Sequence, residues 1–103
     1  MKGLVTPGEP KRFGMKIVIT IIGQDRVGIV AKVSTALAEC NINILDINQN
    51  IVQGYFNMAM VADMAGAKIS LRDLQQQFKT LGETIGVEIK IQHEDIFNVM
   101  HRV

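Results

Sequence analysis

Lys16-Ile17-Val18-Ile19-Thr20-Ile21-Ile22-Gly23-Gln24-Asp25-Arg26-Val27-Gly28-Ile29-Val30 is the stretch on which the reading of this chain turns. Its first part, Lys16 to Ile22, is almost wholly β-branched and apolar on both faces, as a strand in the middle of a sheet requires. Gly23 to Gly28 breaks that pattern with two glycines, an acid and a base. Beyond the break Ile29, Val33 and Leu37, with Val30, Ala36 and Cys40 beside them, recur every three or four residues. Lys32, Thr35 and Glu39 take the opposite side, which makes an amphipathic helix. A central strand therefore passes through a glycine-bounded loop directly into a helix start.

Downstream, Asn41 to Ile51 alternates less cleanly. Leu45, Ile47 and Ile51 share one side, and Asn43 and Asp46 make the strand polar enough for a sheet edge. Gln53-Gly54 is a turn pair. Tyr55 to Met64 places Phe56, Met58, Met60, Ala62 and Met64 on one face and Tyr55, Asn57, Ala59, Val61 and Asp63 on the other. After the connector Ala65 to Lys68, Ser70 and Asp73 have the Ser-x-x-acid spacing of a helix start. Leu71, Leu74, Phe78, Leu81 and Ile85 then form its inward stripe. Val87, Ile89 and Ile91 alternate with Glu88, Lys90 and Gln92, a strand with one dry and one wet face. His93 to Val103 adds a helical turn through Ile96, Phe97, Val99 and Met100, an apolar cluster that suits a lid on the core or a subunit contact equally. The order β-α-β-β-α-β makes both helices bury their stripes on the same side of one sheet. The expected fold is α+β, a ferredoxin-like βαββαβ sandwich: a four-stranded antiparallel sheet with two helices on one face.

Composition bounds what such a domain does. The chain has 103 residues, with Lys+Arg 11 against Asp+Glu 10, a formal net charge of +1. That balance gives no electrostatic case for nucleic acid or an anionic membrane. No apolar run approaches the roughly 20 residues of a membrane span. The single cysteine, Cys40, builds neither an internal disulfide nor a cysteine-based zinc site, and no secretory signal opens the chain, so a cytoplasmic location is expected. Residues 1–14 hold both prolines and no periodicity, and read as a flexible N-terminal extension or a tag before a domain spanning 15–103.

The fold hosts many functions, so chemistry has to come from a site. Gly23 to Gly28 delivers the chain to a helix N-terminus, where free N–H groups attract carboxylate or phosphate. Neither nucleotide signature fits: a dinucleotide fingerprint needs a further glycine, and a phosphate loop needs Lys and Ser/Thr where Ile29-Val30 stand. The alternative is structural, with the glycines permitting a turn and Asp25 capping the helix. His93, Glu94 and Asp95 are consecutive and cannot all face one ion, so no metal is assigned. Cys40 ends an apolar stripe with no histidine in its helix or the preceding loop, and the Met58, Met60, Met64 series is core filler, so no catalytic residue and no cofactor is assigned. An acylphosphatase-like hydrolase is the enzymatic alternative, with Arg26 in the required loop but without a recognisable phosphate cradle. An interaction module for protein or RNA is the other, and for RNA only Tyr55 is placed on the open face for base stacking.

Gly23-Gln24-Asp25-Arg26-Val27-Gly28-Ile29-Val30, followed by Asn41-Ile42-Asn43-Ile44 at the close of the helix, resembles the ACT domain, an amino-acid-sensing module of metabolic enzymes. The likeness runs from Met15 to about Glu94. With the His93-Glu94-Asp95-Ile96-Phe97 to Met100-His101-Arg102 ending, it is most similar to small single-ACT-domain proteins of bacteria and archaea. The opening also resembles the ACT modules of formyltetrahydrofolate deformylase and the glycine cleavage repressor. The resemblance implies a homodimer that binds a small-molecule effector, an amino acid, and is not an enzyme. It also implies a site in which Gly23, Gln24, Asp25, Arg26, Val27, Gly28 and Ile29 of one chain meet Asn43 and Ile44 of the other. Val27 stands where many members have proline, and Gly23 where serine-binding members carry a polar side chain.

Overall fold

A computed structural model describes residues 15–24 and 27–96. Over these the chain forms β1 (Lys16–Gln24), α1 (Ile29–Glu39), β2 (Asn43–Val52), β3 (Tyr55–Asp63), α2 (Leu71–Ile85) and β4 (Val87–His93). The four strands make one sheet in the order β2-β3-β1-β4, every neighbouring pair antiparallel. This is the expected βαββαβ sandwich.

The apolar run of β1 is central because both of its flanks are occupied: Ile19 pairs with Met60 on one side and Ile91 on the other. Ile17, Ile19 and Ile21 are fully buried and join Phe56, Met58, Met60 and Ala62 of β3 in one cluster with Ile29, Val33 and Leu37 of α1 and Leu74 and Phe78 of α2. Both helices therefore cover the same face. Each large side chain removed from water here contributes about 1.5–3 kcal/mol.

The structure departs from the sequence reading at three places that bear on the site. Gly23 and Gln24 continue β1, paired with Phe56 and Tyr55, so the loop begins two residues later than the glycine suggests. β2 starts at Asn43 rather than Asn41: Asn41 takes a left-handed φ of 61°, and Ile42 N–H donates back to Leu37 C=O at 3.0 Å, closing α1. Finally, the ladder between β2 and β3 skips a residue between Ile44 and Asp46. That bulge takes Leu45 out of the alternation, so Ile44, and not Leu45, shares the helix-side face with Ile47 and Ile51. The hairpin that follows turns on Gln53 and Gly54, both left-handed, the arrangement that suits a two-residue connection between twisted strands. Residues 94–96 are helical. Phe97, Val99, Met100 and the extension 1–14 lie outside the described residues.

Candidate functional site

The two helices begin differently. α2 is closed by Ser70, whose Oγ accepts from Asp73 N–H at 3.1 Å, with Asp73 in its first turn. α1 begins at Gly28, which has a left-handed φ of 91°, no side-chain cap and no acidic residue in the first turn. Its first internal bond is Lys32 N–H to Gly28 C=O at 2.9 Å. Gly28 holds the N-cap position, and the capping side chain expected from the sequence is that of Asp25. Asp25 lies, with Arg26, outside the described residues. The N–H groups of the first turn and the positive end of the helix dipole, worth roughly half a charge, meet no neutralising side chain among the described residues.

The remaining expected residues fall into two groups. Gly23, Gln24, Val27, Gly28 and Ile29 gather where β1 runs into α1. Gly23 pairs directly with Val87, and a Cβ on it would sit 2.6 Å from Val87 Cγ1 and 3.0 Å from its Cβ. No side chain fits there, which is the physical reason for glycine. Gln24 is exposed and Val27 entirely so, whereas the Ile29 side chain belongs to the core and leaves only its backbone to a site. Asn43 and Ile44 stand elsewhere. Gln24 is level with Tyr55 and Val52, but Asn43 is level with Asp63 and Lys16, at the far end of the sheet. Eight residue steps along β1 separate the two rows, about 27 Å. Within one chain the two groups do not meet.

What the sequence did not reveal is the condition of β2 between them. Every residue from Leu45 to Val52 is exposed, with Ile47 and Ile51 44% and 51% accessible on the helix side. Alternation cannot distinguish an apolar residue that faces a helix from one that extends past it. Elsewhere the expectations about single side chains stand: Cys40 is buried, with Gln77 Nε2 3.9 Å from its sulfur, and Met58, Met60 and Met64 are core. His93 Nδ1 accepts from Asp95 N–H at 3.1 Å. Among the described residues no three of His, Cys, Asp and Glu gather to hold a metal ion, and no helix is long and apolar enough to cross a membrane.

The strand order and the two helices packed on one face define a ferredoxin-like βαββαβ module. Residues 15–92 match the sequence model of the ACT domain, and the chain belongs to the ACT domain family. A UPF0237 protein of Clostridium acetobutylicum is 51% identical over 89 residues, 86% of this chain and 100% of that protein. The solved ACT domain protein from Streptococcus pneumoniae is 40% identical with a TM-score of 0.73, covering 82% of this chain and 94% of its own. A formyltetrahydrofolate deformylase from Pseudomonas syringae is 29% identical with a TM-score of 0.70, covering 77% of this chain but only 28% of the deformylase.

Proposed function

We propose that the protein is a regulatory module that binds a small metabolite, an amino acid, in a site shared by the two chains of a homodimer, and that it catalyses no reaction. The observation that supports this most is the separation of the two groups of site residues together with the exposed edge lying between them. Antiparallel pairing of two β2 edges about a two-fold at Gln49 sets Ile47 against Ile51 of the partner subunit, an apolar cross-strand pair of the kind that stabilises sheets. The same operation carries Asn43 of the partner subunit past the Gln53-Gly54 turn, to the end of the sheet where β1 enters α1.

In that arrangement the effector carboxylate lies on the free N–H groups after Gly28, where the helix dipole favours it by a fraction of a kcal/mol to about 2 kcal/mol. Its ammonium is accepted by the side-chain oxygen of the partner subunit's Asn43 and by the Asp25 carboxylate. Gly23, Gln24, Arg26, Val27 and Ile29 shape the loop, and Ile44 holds Asn43 at the bulge. Because each chain supplies half the contacts, occupancy and assembly reinforce each other.

The test is a thermal-shift screen of the amino acids and one-carbon metabolites against the full chain. An effector at 100 times its dissociation constant adds about 2.7 kcal/mol, a rise on the order of 10 °C for a domain of this size. Asn43→Ala should remove that rise while leaving the unliganded melting temperature unchanged. No shift with any compound, or an undiminished shift in Asn43→Ala, contradicts the reading.

A further inference from the structure

Apart from its two ends, where the register places Gln24 and Asn43, the helix-free face of the sheet has no part in the proposed effector site. From Thr20 to Gln24 on β1, Tyr55 to Ala59 on β3 and Asn48 to Val52 on β2, no charged side chain stands on it. Ile22 and Tyr55 are 51% and 54% exposed there, and a depression of about 250 Å³ lies beside Ile22, between Thr20, Asn48, Asn50, Asn57 and Ala59. Glu88 and Lys90 on the outer strand β4, and Asp46 on β2, stand at the margin. The water-facing side of α2, by contrast, carries Arg72, Asp73, Lys79 and Glu83. An exposed isoleucine amid uncharged side chains, with Tyr55 at one end of the face, Asp46 at the other and Glu88 and Lys90 along its side, has the make-up of a protein interface.

We infer that this face docks onto the same face of a second copy, so that two β2-joined dimers stack into a tetramer. The registers make the face self-complementary. Ile89, Ile21, Met58 and Gln49 are level across the four strands, so one two-fold line can cross all of them. That line sets Glu88 over Lys90 of the second copy, Asn48 over its Asn50, and the projecting Ile22 over its Thr20, beside the depression. It also passes through Gln49, where the β2 two-fold stands, so both axes belong to one closed point group. Area argues for the paired sheet as the unit. Four strands spaced about 4.8 Å apart and seven residues long give a footprint on the order of 400 Å², roughly half of what each partner buries in a stable complex. The eight strands of a β2-joined dimer reach that size. To this extent the inference rests on the β2 pairing proposed above.

Light scattering on the full chain separates the two interfaces. The wild type should have the mass of four chains. Ile22→Glu should have the mass of two, with unchanged circular dichroism and melting temperature, since Ile22 is half exposed. Glu88→Lys should also halve the mass, and adding Lys90→Glu should restore it, because the exchanged charges again face their opposites. A wild-type mass of two chains that falls to one in Ile47→Asp but not in Ile22→Glu overturns the stacking and leaves the β2 pairing standing. A mass that falls in Ile22→Glu and not in Ile47→Asp supports stacking and removes the β2 pairing. An Ile22→Glu mass equal to that of the wild type overturns the inference whatever occupies the face.

Discussion

β2 and β4 are the two edges of one sheet, and they are finished in opposite ways. β4 is seven residues long, buries Val87, Ile89 and Ile91, and turns Glu88 and Lys90 outward. Its outer side is partly covered by α2: Gln75 Nε2 donates to Ile91 C=O at 2.7 Å, and at Gly82 the helix approaches so closely that a Cβ would sit 2.6 Å from the Val87 carbonyl oxygen, while a groove of about 620 Å³ stays open between Gln75, Lys79, Glu83 and the strand. β2 is ten residues long and, from Leu45 on, exposed throughout. Its only side-chain bond to the edge among the described residues is local, Asp46 Oδ1 accepting from Ile47 N–H at 2.9 Å. A long apolar edge left open invites pairing, and the bulge at Leu45 with Asp46 beside it confines that pairing to the segment beyond. One edge is partly covered by a helix, and the other is left open along most of its length.

The contrast is broken most severely by placing charge on β2. Ile47→Asp with Ile51→Asp should weaken dimerisation at least about 100-fold, about 2.7 kcal/mol, measured as mass against concentration by light scattering. Lys90→Ala on β4 should leave the mass unchanged. Next in size, Gly82→Ala forces α2 away from β4 and should cost about 1–3 kcal/mol by denaturant unfolding, without affecting the mass of the folded protein. Gln75→Ala removes a single hydrogen bond from the β4 edge and should lower stability by about 1 kcal/mol. If it creates a new oligomer, that bond and not the close packing at Gly82 keeps partners off the β4 edge. The smallest effect expected is that of removing residues 1–14. A chain starting at Met15 should melt within about 5 °C of the full one, roughly 1 kcal/mol, because we assign both edges and the core to residues 15–103.

Much of this architecture was legible in the residues themselves. The β-branched run of Ile17 to Ile22 marked a central strand, and both of its flanks are paired, although its second face is open at Ile22, which is 51% exposed. The Ser70-to-Asp73 spacing located the start of α2 because the cap is a local bond. The boundaries that moved did so through contacts no local pattern carries. Gly23 looked like a break but continues β1, because Val87 lies against it and excludes any side chain. Asn41 looked like strand but turns, held by its Nδ2 donating to Gly66 C=O at 2.7 Å across 25 residues. The candidate site was legible in one of its two parts. The loop after β1 drew notice through its glycines and its position before a helix, and α1 begins beside it at Gly28. Asn43 was named only by family likeness, and its distance from the loop within one chain depends on strand register, which composition and periodicity do not encode.

A site shared by two chains cannot exist in one. Once the screen has identified an effector, its affinity should be measured by calorimetry for the wild type and for Ile47→Asp, at a concentration where light scattering shows that the β2 contact of the variant is lost. The account predicts a folded variant whose affinity falls by at least about 100-fold, since Asn43 of the partner subunit no longer reaches the loop at Gly28. A variant without the β2 contact that binds as tightly as the wild type would contradict it.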